Sequence, residues 1–142
     1  MTLQRFLLDT SALLVHFRQE LGWERVQALF EQEGTEILAA SVSLTEFARR
    51  LRELGATPAG ALQTVQDYGA LLDDIVTVDE KVALEAFNLG CETVPRLPLV
   101  DALIAATARE RDACLVHRDG HMAGIPGHLV TQLALARKLE TE

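Results

Sequence analysis

The chain has 142 residues, of which 49% are hydrophobic and 24% charged, a composition typical of one globular domain, which we take to span residues 1–142. No apolar run approaches the ~20 residues that a transmembrane helix needs and no secretory signal is evident, so we expect a cytoplasmic protein with reduced cysteines and no membrane partner. The formal net charge of −8 argues against a protein that holds nucleic acid through a broadly basic surface.

Short apolar segments alternate with segments of helical periodicity along the chain. Residues 5–8 predict a buried strand that ends at Asp9. Apolar residues then recur at helical spacing over 12–17 and 23–33, and Gly34 closes the second of these helices. The chain therefore begins as a strand followed by two helices.

The further elements continue this alternation. In chain order they are a strand at 36–40, a helix capped by Ser41 or Ser43 that stops at Gly55, a helix from Pro58 through Leu72, a strand at 74–78, a helix capped by Asp79 that runs through Leu89, a helix at 99–111, a strand at 113–116, a brief strand at 129–130 and a helix at 132–139. Strands alternating with helices predict an α/β fold with a parallel sheet covered on both faces.

Four acidic residues lie near one predicted edge of this sheet, where the carboxyl ends of parallel strands bind ligands. Asp9 directly follows the first strand, and Asp119 follows the fourth. Glu46 lies in the first turns of the helix after the second strand, and Asp101 lies near the start of the helix that precedes the fourth. The acidic composition is thus either an ordinary solvated surface or, in part, a cluster that holds metal ions and so attracts phosphate.

Each of the four acids also has a purely structural interpretation. Asp9 can cap a helix, Asp101 can complement a helix dipole, and Asp119 begins a common turn pair with the glycine after it. Ser43 and Glu46 have the spacing of a capping box. The apolar surroundings of Asp9 and Asp101 favour a functional site, because a partly buried carboxylate is costly unless it is paired or bound to a metal.

Four segments together resemble the PIN-domain nucleases, and in particular the VapC-type toxins of bacterial toxin–antitoxin pairs. They are LLDTSAL at 7–13, SVSLTEFAR at 41–49, LVDALIAATA at 99–108 and LVHRD at 115–119. The resemblance extends over nearly the whole chain in order and spacing. It implies a PIN-like three-layer α/β/α sandwich with a short parallel sheet of four to five strands.

The resemblance also implies an endoribonuclease that hydrolyses RNA phosphodiester bonds, forms a homodimer and is neutralised by a small cognate antitoxin protein. Carried over by position, the catalytic acids are Asp9, Glu46, Asp101 and Asp119. Thr10 or Ser11 supplies the hydroxyl that orients Asp9. The chain departs from the family at His117, where Thr or Ser is frequent, and at His121, where many members have Asp or Asn. Whether His121 binds a metal directly, through water or not at all stays open, as does the occupancy of a second metal.

Carboxylate ligands of this kind favour Mg²⁺, with Mn²⁺ able to substitute. Asp9 and Asp101 are the leading ligands, Asp119 is the next, and Glu46 holds water or serves as the base. Hydrolysis by water then leaves a 5′-phosphate and a 3′-hydroxyl. We assign contacts with the RNA phosphates to two basic residues next to the site segments, Arg49 and Arg118.

Several other functions remain compatible with the sequence. The chain could be a non-catalytic PIN-like module that binds RNA or protein, a PIN nuclease outside a toxin–antitoxin pair, or a nuclease that acts on DNA. A zinc site made of His117, His121 and Asp119 is disfavoured because flanking glycines predict a loop there. A phosphoacceptor domain using Asp9 or Asp74 is disfavoured because neither a signalling lysine nor a phosphate loop is evident.

Overall fold

In the computed structural model, which describes residues 3–137, five parallel strands form one sheet. The strands are β1 (Gln4–Leu8), β2 (Thr35–Ala40), β3 (Asp74–Val76), β4 (Cys114–His117) and β5 (Gln132–Ala134). Their order across the sheet is β3-β2-β1-β4-β5, and every neighbouring pair is parallel. The chain thus builds the sheet outward from β1 in one direction, and then crosses to the other side of β1 to add β4 and β5.

Seven helices connect these strands in the described part of the chain. They are α1 (Thr10–Arg18), α2 (Trp23–Glu31), α3 (Ser41–Glu53), α4 (Pro58–Leu71), α5 (Glu80–Glu92), α6 (Leu99–Glu110) and α7 (Gly120–Ala123). Between residues 3 and 137, none of them combines the length and the apolar character required to cross a membrane. Side chains cap the starts of α1, α4 and α5, at Asp9, Thr57 and Asp79, and the caps at Asp9 and Asp79 were predicted above.

Alternate residues of each strand pack against different helix layers, because successive side chains of a strand point to opposite faces of the sheet. The layer of α5, α6 and α7 covers the face that carries Leu7, Leu38 and Leu115. The layer of α1, α2, α3 and α4 covers the face that carries Leu8, Ile37 and Val116. Both faces of the strands are therefore covered by apolar side chains of helices, and the predicted three-layer α/β/α sandwich is confirmed.

The carboxyl ends of β1 and β4 lie side by side, and this edge positions the candidate site. Leu8 is in register with Val116, and the backbone N–H of Asp9 extends the pairing by donating to the carbonyl of Val116 at 3.1 Å. Connections from β1 run to one side of the sheet through β2 and β3, and the later strands β4 and β5 lie on the other side. In α/β sheets, a crevice beyond the strand ends opens at the point where the order reverses in this way.

The structure corrects the prediction near the C-terminus. The strand predicted at 129–130 is not formed, and Val130 is instead buried in the core. The fifth strand is Gln132–Ala134, where a helix was predicted, and residues 135–137 are not helical. The rest of that predicted helix, 138–139, lies outside the described residues. The prediction was wrong because β5 has only three residues and pairs with β4 through its backbone, so that Leu133 alone gives too little of the alternation that marks a strand.

The start of α3 also differs from prediction. The helix begins at Ser41 without a side-chain cap, so Ser43 lies inside it and the predicted capping box with Glu46 is wrong. The Oγ of Ser41 accepts a hydrogen bond of 3.1 Å from the backbone N–H of Val78. Ser43 is fully buried, and its Oγ is the one buried side-chain polar atom in the described residues that has no hydrogen-bond partner. The loop predicted from the glycines beside His121 is also wrong, because Gly120–Ala123 forms the short helix α7, which Asp119 caps. The remaining predicted elements are present and differ only at their ends.

These two serines predict opposite effects of the same substitution. Ser41→Ala leaves the partly buried backbone N–H of Val78 without its acceptor. We expect the free energy of unfolding to fall by about 1–2 kcal/mol. Ser43→Ala removes an unpaired buried hydroxyl, so the free energy of unfolding should stay level or rise by up to about 1 kcal/mol. Urea denaturation followed by circular dichroism measures both, and equal losses in the two variants would contradict this account of α3.

Candidate active site

Asp9 lies at the junction of β1 and α1, with only 2% of its surface exposed. Its Oδ1 accepts hydrogen bonds from the backbone N–H of Ala12 at 2.8 Å and from the hydroxyl of Ser11 at 2.7 Å. Burial raises the pKa of Asp9 to about 7 against the opposing effect of these two bonds, and the nearby Asp119 and Asp101 raise it further. Asp9 is therefore both a helix cap and a carboxylate buried next to other acids.

Two hydroxyl groups that follow Asp9 connect it to the rest of the site. The Oγ of Ser11 donates to Asp9 and accepts a hydrogen bond of 2.8 Å from the backbone N–H of Arg118, which joins the ends of β1 and β4. The Oγ1 of Thr10 donates to Oε1 of Glu46 on α3. Of the two residues predicted to orient Asp9, Ser11 does so, and Thr10 orients Glu46 instead.

Asp101 and Asp119 reach the same edge from different elements. Asp101 is the third residue of α6, whose buried alanine face packs against the sheet, and its side chain is 13% exposed. Asp119 follows β4 and accepts a hydrogen bond from the backbone N–H of His121 at 2.7 Å. Burial raises the pKa of Asp101 to about 6, and the charges of Asp119 and Glu46 raise it further, whereas His121 lowers it.

One cavity of about 280 Å³ is lined by all four predicted acids, Asp9, Glu46, Asp101 and Asp119. They come from four separate parts of the chain: the end of β1, α3, the start of α6 and the end of β4. The acids repel one another in partly buried positions, which raises the pKa of Asp9 and of Asp101, and a bound cation would relieve this repulsion. The structure thus brings the whole predicted quartet together.

Arginine side chains line the same cavity. Arg118 was predicted to contact substrate and does lie there, together with Arg18 and Arg50. Glu20 forms a salt bridge with Arg18 at 3.0 Å and accepts a hydrogen bond from Arg118 at 2.7 Å, and so holds both guanidinium groups in place. Arg49 is exposed and does not line the cavity, since it points about 100° around α3 from Arg50. The bridge made by Glu20 was not predicted, because nothing in the sequence places the end of α1 next to β4.

The two histidines near the site have different environments. His117 is buried, its Nε2 lies 2.8 Å from Oε1 of Gln132, and its Nδ1 accepts a hydrogen bond from the backbone N–H of Asp119. Burial lowers the pKa of His117. Both ring nitrogens are thus engaged, which argues further against the zinc site of His117, His121 and Asp119 that the sequence already disfavours. Nδ1 of His121, by contrast, lies 3.3 Å from Oδ1 of Asp119 and 3.8 Å from Oδ2 of Asp101.

The donor set fits a divalent cation. Asp101, Asp119 and His121 each offer one ligand atom, and these atoms all lie within 4.8 Å of one another. Ligands on adjacent corners of an octahedron with bonds of about 2.1 Å are separated by about 3 Å, and opposite ones by about 4 Å. Both hydrogen bonds that Asp9 accepts end on Oδ1, so its Oδ2 is the oxygen left for an ion.

The chain is similar to known proteins in sequence and in fold. The sequence model of the PIN domain family matches residues 6–127, whereas no functionally curated protein matches the chain as a whole. The fold is similar to that of VapBC2 from Rickettsia felis, solved bound to a DNA fragment from its promoter, with a TM-score of 0.74 and 16% identity over 94% of this chain and 100% of that one.

Two further solved structures have comparable folds. A toxin–antitoxin complex from Klebsiella pneumoniae has a TM-score of 0.65 and 24% identity over 86% of this chain and 93% of that chain. VapC20 from Mycobacterium tuberculosis, a toxin that cleaves the sarcin–ricin loop, has a TM-score of 0.66 and 15% identity over 83% of this chain and 92% of that chain. At these identities the likeness concerns the fold.

The raised pKa of Asp9 predicts a pH dependence of stability in the metal-free protein. Between its ordinary value of 3.8 and the folded-state value of about 7, the folded chain keeps a proton on Asp9 that the unfolded chain has released. Unfolding therefore releases a proton, and the free energy of unfolding falls as the pH rises through this window. We expect the midpoint of thermal unfolding to fall more steeply from about pH 4 to pH 8 in the wild type than in Asp9→Asn.

The Asp9→Asn variant is the matched control, because its side-chain oxygen can still accept from Ser11 and Ala12 while the group no longer titrates. Subtracting the pH dependence of the melting temperature of this variant from that of the wild type isolates the contribution of Asp9 from that of the other titrating groups. Parallel melting profiles for the two proteins would show that Asp9 ionises with an ordinary pKa.

Proposed function

Because the chain belongs to the PIN-domain family, we propose that it is a divalent-metal-dependent endoribonuclease and the toxin of a toxin–antitoxin pair. The observation that carries the proposal is the meeting of Asp9, Glu46, Asp101 and Asp119 in one cavity. Burial and mutual repulsion raise the pKa of two of them, a cost to folding at neutral pH that a structural role alone does not explain. The toxin–antitoxin complexes among the proteins of similar fold support the biological role.

We propose that Asp9, Asp101 and Asp119 hold the cation. This cation is Mg²⁺, and Mn²⁺ can substitute for it. When bound, such an ion lowers the pKa of a coordinated water and stabilises the charge that develops on phosphoryl oxygens. Ser11 fixes the orientation of Asp9 by a hydrogen bond to Oδ1. Ser11 also accepts a hydrogen bond from the backbone N–H of Arg118, which holds the carboxyl ends of β1 and β4 together.

Glu46 is the proposed proton acceptor of the reaction. Thr10 occupies its Oε1 with a hydrogen bond, which leaves Oε2 for the attacking water. The water oxygen bonds to phosphorus, its proton passes to Glu46, and the bond between phosphorus and the 3′ oxygen breaks as that oxygen takes a proton from solvent water. The products are one RNA end with a 5′-phosphate and one with a 3′-hydroxyl.

RNA binding by an acidic protein requires locally placed positive charge. Arg18, Arg50 and Arg118 lie around the acids in the cavity, and guanidinium groups suit bidentate contacts with phosphate oxygens. Glu20 orients two of them before the substrate arrives. We propose that the phosphates on either side of the cleaved bond contact these arginines, which compensates for the net charge of −8.

Apolar residues beside the cavity and on a separate face support binding to other proteins, in addition to RNA. Leu14 and Leu54 line the cavity beside the acids, and we propose that the antitoxin covers this mouth. Phe87 and Leu99 are exposed at a separate cavity of about 700 Å³ between α5 and α6, a face suited to the proposed homodimer. The unpaired Cys91 and Cys114 fit the proposed cytoplasmic location.

Substitution of the acids tests the proposed activity. We expect Glu46→Gln to slow cleavage of a 5′-labelled single-stranded or hairpin RNA by about 100-fold or more, because proton transfer is lost. Asp101→Asn should be at least as defective, because it removes a ligand. Asp67→Asn, which changes an exposed acid on α4, should cleave like the wild type. Mapping the RNA ends establishes whether the 5′ end carries the phosphate.

Each alternative gives a different result in this assay. Equal cleavage by wild type and Asp101→Asn would assign the activity to a contaminant, and no cleavage with retained RNA binding would indicate a non-catalytic module. A 2′,3′-cyclic phosphate would exclude hydrolysis by water. Preferential cutting of DNA would overturn the substrate class.

The cavity arginines are tested separately by the salt dependence of RNA binding. In an Asp101→Asn background, which prevents cleavage, Arg118→Gln should weaken binding and reduce the slope of log K against log salt by about 1, the contribution of one phosphate contact. Arg5→Gln is the control, since Arg5 lies at the opposite end of β1 and pairs with Glu36. Arg49→Gln tests the other predicted arginine, which lies outside the cavity. An unchanged slope in Arg118→Gln would remove that residue from the interface.

A further inference from the structure

His121 lies beside the acidic quartet in a position that bears on which cation the site prefers. We propose that His121 is a direct ligand, through Nδ1, of the cation held by Asp101 and Asp119, and that this nitrogen makes the site prefer Mn²⁺ to Mg²⁺. The inference rests on the proposed metal site and deepens it, because carboxylates alone suit Mg²⁺ and Mn²⁺ alike.

The distances around His121 are those between two ligands rather than those of a hydrogen bond. Nδ1 lies 3.3 Å from Oδ1 of Asp119 and 3.8 Å from Oδ2 of Asp101, whereas N–H···O bonds are about 2.7–3.2 Å long. Atoms bound to one octahedral cation lie about 3 to 4 Å apart. Both distances from Nδ1 fall in this range, and the ligand atoms of all three groups lie within 4.8 Å of one another.

The local backbone holds His121 in this position. Asp119 accepts a hydrogen bond from the backbone N–H of His121 at 2.7 Å, so the chain turns back at the end of β4 and returns the imidazole over the acids. This bond uses one lone pair of Oδ1, and the second lone pair of the same oxygen, which lies 3.3 Å from Nδ1 of His121, stays available for an ion. His121 is 58% exposed, which keeps the imidazole accessible to an ion that enters from solvent.

The other histidines are not available for this role. His16 has both ring nitrogens engaged, by Tyr68 and Gln27, and His117 has both engaged by Gln132 and by the backbone of Asp119. His128 is exposed and is not part of the cluster of possible ligands that contains His121. Within residues 3–137, His121 is therefore the imidazole that faces the carboxylates.

The chemistry of imidazole gives the direction of the preference. Mg²⁺ is a hard ion that binds oxygen and keeps several waters, whereas first-row transition cations accept carboxylate and imidazole together. Mn²⁺ has the octahedral geometry of Mg²⁺ and gains the nitrogen ligand without any change in coordination number. One histidine in place of an oxygen ligand thus strengthens Mn²⁺ binding and leaves Mg²⁺ binding nearly unchanged.

The test measures metal binding directly, without RNA. Metal-free protein is loaded with less than one equivalent of Mn²⁺, and pulsed electron paramagnetic resonance detects whether a ¹⁴N nucleus is bound to the ion. We expect nitrogen modulation in the wild type, its loss in His121→Gln and its retention in His128→Gln, the matched control. Calorimetric titration should show Mn²⁺ affinity about 10-fold lower in His121→Gln and Mg²⁺ affinity changed by less than about 2-fold.

The outcomes separate this inference from the proposed function. Mn²⁺ that binds in an Asp101-dependent manner without nitrogen modulation overturns the role of His121 and leaves the carboxylate site intact. Nitrogen modulation that survives His121→Gln overturns it as well. If neither Mn²⁺ nor Mg²⁺ binds in a manner that Asp101→Asn abolishes, both the inference and the metal-dependent nuclease fall. Equal melting temperatures of the two histidine variants exclude misfolding as the cause.

Discussion

The parallel pairing of β1 with β4 is the constraint on which the candidate site depends. It places the two strand ends side by side, and the bond from the backbone of Asp9 to the carbonyl of Val116 extends the pairing into the site itself. Ser11 adds a second connection, since its hydroxyl bonds both to Asp9 and to the backbone of Arg118. A rigid, well-packed part of the fold is needed to hold carboxylates that repel one another. The sheet, buried under helices on both faces, is that part.

The fold could be predicted wherever burial on both faces dictates the sequence. β1, β2 and β4 are apolar because helices cover both of their sides, and their boundaries follow from the apolar runs. β5 is an edge strand of only three residues, whose side chains are partly buried or exposed, so its pairing depends on backbone hydrogen bonds and leaves too short a pattern in the sequence. The nearby apolar residue Val130 instead fills the core beside the strand. A hydrophobic pattern reports burial, and burial coincides with strand pairing only in the centre of a sheet.

The members of the site could be predicted better than the connections between them. The four acids follow from topology, because residues after parallel strands and at the starts of the adjoining helices share one edge. Their partners do not follow from it. The helix that carries Glu46 begins earlier than its serines suggest, so Glu46 bonds to Thr10 instead of to its own helix start. Glu20 bridges two arginines only because the turn after α1 passes the end of β4.

His117 and His121 show how far backbone position outweighs residue type in this site. They are four residues apart, and composition or spacing alone makes them equivalent as metal ligands. His117 is the last residue of β4, where the pleat directs its ring into the protein and the backbone and Gln132 bind both nitrogens. His121 lies in the first turn of α7, which Asp119 caps, and its ring returns to the carboxylates on the exposed side. The strand end thus separates a structural imidazole from one that can reach an ion, and the same edge gathers the acids that would hold that ion.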